Sequence, residues 1–304
     1  MNKGDVLVEA RDLTYSFAAK RVLDSVCLEL RAGEVTGFVG ANGAGKTTSI
    51  RLLLGLLRGE GRTRFLGRPL HSWRAPGTVV GAVLGGIAGH PQHRVHAHLR
   101  MVAAGSAVSD TRVDEVLNTV GLGEAARLRL SELSLGMAQR VGIAQALLGD
   151  PPVLILDEPA NGLDPHSIRW LRDFLRSQAD QGRAVLVSSH LLGEMEQLAD
   201  RVIVLTRGRV VAAAPMTELL ERAAGIRTVR VEAPDLPTLA ALIAEHGGHL
   251  TPATADEATV TGLDRVQIGT LALKAGVPLY GMREDTPSLE DFYLSIAEEE
   301  FKIS

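Results

Sequence analysis

The 304-residue chain has a single cysteine, Cys27, so no disulfide can close within it, and the thiol reads as a small buried side chain suited to a reducing compartment. Long apolar runs are missing too. The nearest approach, VVGAVLGGIAG at 79–89, is rich in glycine and falls short of the about 18 residues of a membrane span. The stretch MNKGDVLVEARDL lacks the apolar core of a signal peptide, so the expectation is a soluble chain that meets a membrane only through a partner. Net charge is small, −4, and unevenly placed: residues 1–224 hold 26 basic and 23 acidic side chains (+3), residues 225–304 hold 6 and 13 (−7). That balance argues against broad nucleic-acid binding, most of all by the acidic tail. There is no internal repeat and no low-complexity tract.

Four of the nine histidines fall at 90, 93, 96 and 98, a spacing that could converge on zinc. Nothing nearby supports a metal: there is no CxxC pair and no HExxH, and Gly85, Gly86, Gly89 and Pro91 interrupt any helix that would fix ligand geometry.

What is present is apolar enough, at 45% hydrophobic residues, for one large domain or a large and a small one. VTGFVG reads as a buried strand, GANGAGKTT as a glycine loop and SIRLLLGLL as a packed helix. The loop fits GxxxxGK[ST] through Gly40, Gly45, Lys46 and Thr47. Glycines let backbone N–H groups wrap phosphates, Lys46 brings a point charge to the β- and γ-phosphates, and Thr47 offers a hydroxyl to Mg²⁺. The start of the helix adds its own attraction for anions.

PPVLILDEP at 151–159 is an apolar strand that ends in Asp157 and Glu158, at the carboxyl edge of a parallel sheet where the phosphate loop also sits. Neighbours on a strand point oppositely, so Asp157 is expected to serve the metal shell and Glu158 to reach a water. NGLDPHSIRWLRDFLRSQADQG supplies a loop and then a helix capped by Asp164, with Pro165 in its first turn. AVLVSSH is a further apolar strand, and the His190 at its end is expected near the γ-phosphate.

LSLGMAQRVGIAQALL at 133–148 puts Ser134 and Gly136 just before another helix, with Val141, Ala144 and Leu148 on one face, whose amino end is a second place for an anion. The order of phosphate loop, LSLGMAQR, LILDEP, GLD and strand-end histidine over about residues 5–222 resembles the ATP-binding-cassette (ABC) ATPases. The resemblance implies an α/β P-loop NTPase with a RecA-like core and a helical subdomain at about 86–150. It implies an ATP site formed by Gly40, Ala41, Asn42, Gly43, Ala44, Gly45, Lys46, Thr47 and Thr48, with Phe17 stacked on adenine in preference to Tyr15. Asp157 and Thr47 would hold Mg²⁺, Glu158 would polarise the attacking water and His190 would sense the γ-phosphate. In the family two cassettes close head to tail, so Ser134 and Gly136 of a second copy would complete the site, and Asp164 lies in the loop linking the two sites. Proline is more usual at Ala41, a departure that removes no phosphate contact.

Between the phosphate loop and LSLG the family has a strand ending in a glutamine that helps bind Mg²⁺. TVVGAVLG at 78–85 aligns with it and puts Gly85 at that position, where no side chain is available. The following HPQHRVHAHLR resembles the coupling segment of actinobacterial drug-exporter cassettes.

After ADRVIVLTRGRVVAAA, two strands about an Arg-Gly turn, and the short helix PMTELLERAAG, a boundary is expected near Gly225. Domains of 1–224 and 225–304 follow. The second reads β-α-β-β-α-β, a small ferredoxin-like α+β unit, with a final helix opened by a Ser288-to-Asp291 capping pattern. Its ending, PSLEDFYLSI, resembles the termini of drug and bacteriocin exporter cassettes. The expectation is a cytoplasmic ATPase, peripheral on the inner face of the cell membrane, that drives export through a separate permease of about six spans per subunit. An importer, a self-resistance cassette or a non-transport regulatory ATPase is the alternative.

Overall fold

A computed structural model describes residues 2–18, 20–87, 89–105, 108–224, 228–284, 288–294 and 296. The chain divides into two compact units, Met1–Pro215 and Met216–Ser304; the boundary expected near Gly225 lies outside the described residues.

The first unit opens with two long strands, β1 (Val6–Phe17) and β2 (Lys20–Arg31), paired antiparallel. Apolar residues such as Leu23, Val26, Leu28 and Leu30 turn one face of this ribbon inward. β3 (Val35–Val39) leads through the glycine loop into helix α1 (Lys46–Leu53), and β4 (Glu60–Phe65) then pairs with β1 to complete a three-stranded sheet. After β5 (Val80–Leu84) the chain is helical: α2 (Val95–Gly105), α3 (Asp110–Thr119) and α4 (Leu135–Leu147). β6 (Val153–Asp157), α5 (Pro165–Asp180), β7 (Ala184–Ser189), α6 (Leu192–Leu198), β8 (Arg201–Thr206) and β9 (Arg209–Pro215) finish the unit.

The main sheet has the order β5-β6-β7-β3-β8-β9, parallel except for β9, which returns antiparallel to β8 through the Arg207-Gly208 turn. β3, β6 and β7 are buried along their whole length, which is why they read as continuous apolar runs rather than alternating ones. Side-chain alternation still decides what each face meets. Phe38, Ile155 and Leu186 join the core shared with the antiparallel sheet and α1, whereas Gly37 backs onto Met195 and Ala199 at α6. The ends of β3 and β6 therefore deliver the phosphate loop and the Asp157 carboxylate to one edge of the sheet.

The second unit holds α7 (Met216–Ala224), β10 (Thr228–Glu232), α8 (Leu236–Glu245), β11 (His249–Pro252), β12 (Glu257–Thr261), α9 (Arg265–Ala275) and β13 (Gly281–Glu284). Its four-stranded antiparallel sheet has the order β11-β12-β10-β13, and Val229, Val231, Val260, Leu239, Ile243 and Ile268 form a core of its own. α8 starts on an Asp235 cap and α9 on a capping box of Asp264 and Gln267. The expected strand at VPLYGM begins four residues late, at Gly281. The Val277 N–H is taken by Ala272 O in closing α9, Pro278 has no N–H, and the first bond toward β10 comes from Tyr280 N to Glu232 O. Ser288 and Asp291 exchange hydrogen bonds at the start of the last helical stretch, 289–294.

Candidate functional site

At the carboxyl edge of the main sheet lies a cavity of about 1020 Å³. Asn42, Gly43, Gly45, Lys46, Thr47 and Thr48 form its floor, Glu158 one wall, and Tyr15, Phe17 and Arg207 part of its rim. The loop is fixed from below. An added Cβ at Gly40 would stand 2.3 Å from Leu205 O, and Gly208 N donates to Ala44 O at 2.9 Å, so the β8–β9 hairpin underpins the phosphate loop.

Lys46 is 6% exposed, and its Nζ donates to Gly40 O at 2.6 Å and Ala41 O at 3.3 Å. The same ammonium lies 3.1 Å from Glu158 Oε1, and His190 Nδ1 lies 2.9 Å from Glu158 Oε2. With its proton on Nδ1 the ring donates to the carboxylate. Both oxygens of Glu158 are thus engaged, one by the loop lysine and one by the strand-end histidine.

The reason Glu158 faces the loop differs from the one expected. β6 ends at Asp157, and Glu158 adopts φ +50°, a left-handed conformation that costs a non-glycine residue about 1 kcal/mol. The turn, and not strand alternation, swings its side chain into the cavity that Lys46 lines. Asp157 stays on the strand, buried, and accepts from Ser188 Oγ at 2.6 Å.

Phe17, at the end of β1, is 72% exposed on the cavity rim, while Tyr15 is partly buried against the core. Ser134 and Gly136 stand elsewhere. Ser134 caps α4 by accepting from Met137 N at 3.2 Å, and neither residue lines the cavity. Asp164 caps α5, accepting from Ser167 N at 2.9 Å and Ser167 Oγ at 3.2 Å; the backbone N–H of Ser167 above all holds its carboxyl below the usual carboxylate range. The two helix starts meet: a Cβ at Gly136 would lie 2.7 Å from Ser167 Oγ, and the Arg140 guanidinium sits 4.0 Å from the Trp170 ring centroid. Burial lowers the pKa of Arg140, against the opposing pull of Asp164.

The four clustered histidines diverge. His90 and His93 are exposed with ring centroids 5.3 Å apart, His96 pairs with Asp114 at 3.1 Å, and His98 is buried with Nε2 3.0 Å from Gln145 Oε1. Among the described residues no group of three His, Cys, Asp or Glu side chains could hold a metal. Gly85 follows β5 with φ +75°, and an added Cβ there would meet nothing within 4 Å.

Sequence reasoning missed Ser188 and Arg207. A serine inside a wholly buried strand beside an acidic strand end was the available signal for Ser188; for Arg207, placed by a hairpin turn, there was none.

A family profile described as ABC transporter matches residues 23–161, and one described as a domain of unknown function matches 227–290. The uncharacterized ABC transporter ATP-binding protein YhcH of Bacillus subtilis is 39% identical over 67% of this chain and 68% of its own. The chain belongs to the ABC transporter ATP-binding proteins. The bacitracin transport ATP-binding protein BcrA of Enterococcus faecalis is 31% identical across 95% of this chain and 96% of its own, so the likeness extends through the second unit of the cassette. The Nod factor export ATP-binding protein I of Rhizobium meliloti is 31% identical across 99% and 90%. A solved ATP-binding subunit of an ABC transporter superposes on the cassette with a TM-score of 0.65 at 28% identity, over 72% of this chain and 93% of that one. The cassette has the ABC ATPase fold and is an ATPase. No helix among its described residues is long and apolar enough to cross a membrane.

Proposed function

We propose that this ATPase powers export of a drug-, antibiotic- or peptide-like compound through a separate membrane permease, to which it binds from the cytoplasmic side. The observation that carries the reading is the chain Lys46–Glu158–His190, which starts in the cavity at Lys46 and Glu158. It brings a phosphate-seeking cation and a proton-carrying ring each within hydrogen-bond reach of one carboxylate, Glu158. Support for export comes from relatives named for bacitracin transport and Nod factor export, which match along nearly the whole chain.

In this reading the phosphate loop, Gly40 to Thr48, cradles the triphosphate and Phe17 covers the adenine. Lys46 leaves Glu158 for the β- and γ-phosphates, Glu158 then polarises the attacking water, and His190 reports the γ-phosphate. The site fits Mg²⁺. A buried carboxylate and a hydroxyl are hard oxygen donors, and Mg²⁺ takes most of its remaining ligands from phosphates and water, so Asp157 and Thr47 would suffice without Gly85. The metal's part is to draw charge from the terminal phosphates.

Ser134 and Gly136 lie outside the cavity of their own chain, which accords with their serving the ATP of a second, head-to-tail copy. Asp164 joins the two sites. The helices between β5 and β6 correspond to a helical subdomain on a RecA-like core. The order β11-β12-β10-β13 with two helices between strands accords with a ferredoxin-like second domain.

Glu158→Gln tests the central assignment. It should hold ATP in a stable dimer, read by gel filtration, with hydrolysis reduced by about 100-fold or more. A variant that hydrolyses at the wild-type rate would remove Glu158 from the reaction.

A further inference from the structure

Ser188 sits on β7 directly opposite Asp157 in the parallel register and is wholly buried. Its hydroxyl donates to Asp157 Oδ1 at 2.6 Å and accepts from the Glu158 backbone N–H at 2.8 Å. A serine hydroxyl has one proton to give, and here the proton goes to the carboxylate while a lone pair takes the amide. One side chain therefore ties together the two acidic residues of the site, one through its carboxylate and the other through its backbone.

We propose that Ser188 is the positioning residue that orients Asp157 toward the metal and fixes the left-handed turn aiming Glu158 at the attacking water. The inference rests on the roles given to Asp157 and Glu158 above. Two physical facts make it specific. Glu158 at φ +50° holds a conformation that its own backbone disfavours, so something outside the residue must secure it. The bond from Glu158 N to Ser188 Oγ is the tether at the point where β6 ends. With Oδ1 engaged by Ser188, the Asp157 carboxylate is held in one orientation, in which it would serve Mg²⁺. Ser189, the next residue, turns away and accepts from Leu191 N at 2.9 Å, so the neighbouring hydroxyl does not duplicate the role.

The test is Ser188→Ala beside Ser188→Thr in the full-length cassette. Ser188→Ala should lower kcat by about 10- to 100-fold and raise the Mg²⁺ concentration for half-maximal hydrolysis, while ATP affinity stays within about twofold of wild type. Ser188→Thr, which keeps the hydroxyl, should recover most of the rate and the wild-type Mg²⁺ dependence. A Ser188→Ala enzyme with wild-type kcat and Mg²⁺ dependence would overturn the proposal. So would a loss of kcat that comes with equal losses of ATP affinity and Tm, since that pattern marks a purely structural residue. Glu158→Gln, run alongside, separates the layers: if it too keeps full activity, the underlying site assignment has failed, and if it alone is inactive, only the role of Ser188 has.

Discussion

At the scale of single residues, the residue types of the candidate site were legible in the sequence but their geometry was not. Lys46, Asp157, Glu158 and His190 announce themselves because phosphate chemistry restricts which residue types can stand at those places. The conformation of Glu158 could not be read from LILDEP, since a left-handed glutamate has no local signature, and Ser188 is concealed in an apolar strand. Gly85 shows the converse. Its identity was plain from the sequence, whereas its φ of +75° and the open space around it required coordinates. Any side chain there carries a backbone penalty of about 1 kcal/mol, so Gly85→Ala and Gly85→Gln should each lower Tm by about 2–4 °C. Only the glutamine adds an amide. If Gly85 stands where a metal-facing side chain would reach, Gly85→Gln should shift the Mg²⁺ dependence of hydrolysis relative to Gly85→Ala. Coincident Mg²⁺ titrations would detach the position from the metal.

At the scale of elements, strands and helices followed from apolar pattern and capping residues, while the links between them did not. α5 begins on the cap expected, Asp164, and α4 on Ser134, because a polar side chain before an apolar period satisfies free N–H groups of a first turn. Of the histidines at 90–98, His90 and His93 lie together in a turn while His96 and His98 go to Asp114 and Gln145 from a helix, a division that spacing alone could not reveal. Asp150 is another link invisible in the sequence. It accepts from Arg183 at 2.8 Å and from Arg112 of α3 at 3.0 Å, joining the helical segment to the approach of β7. The Arg183 hydrogen bond, reinforced by Arg112, holds its carboxyl below the ordinary carboxylate value. A depressed folded-state pKa means that the stabilisation is complete above the unfolded value of about 3.9 and is lost as pH falls through the lower folded value. Asp150→Asn should therefore reduce the urea midpoint at pH 7, and the gap from wild type should narrow as pH drops below about 4. A gap that stays constant with pH would show that the carboxylate charge contributes nothing at this junction.

For the molecule as a whole, the order of motifs identified the family, and the order β-α-β-β-α-β read from residues 225–304 is the order of strands and helices found in the second unit after α7. What one copy leaves incomplete is equally informative. Ser134 and Gly136 do not line the cavity that Lys46 and Glu158 line, although the helix start they form has the free N–H groups that bind anions. Under the proposed pairing each copy holds half of each ATP site, so hydrolysis is a property of two molecules. Below the dimer dissociation constant the rate should then rise as the square of cassette concentration, and specific activity should double with each doubling of protein until it levels off. Ser134→Ala separates the two duties of that residue. Loss of the cap should lower stability by about 1 kcal/mol, and loss of the phosphate contact should slow hydrolysis and weaken ATP-driven dimerisation while ATP binding by the monomer is unchanged. Specific activity that stays flat on dilution, from the micromolar range until activity is no longer detectable, would mean that a single copy contains everything hydrolysis needs, and Ser134 would keep only its place as a helix cap.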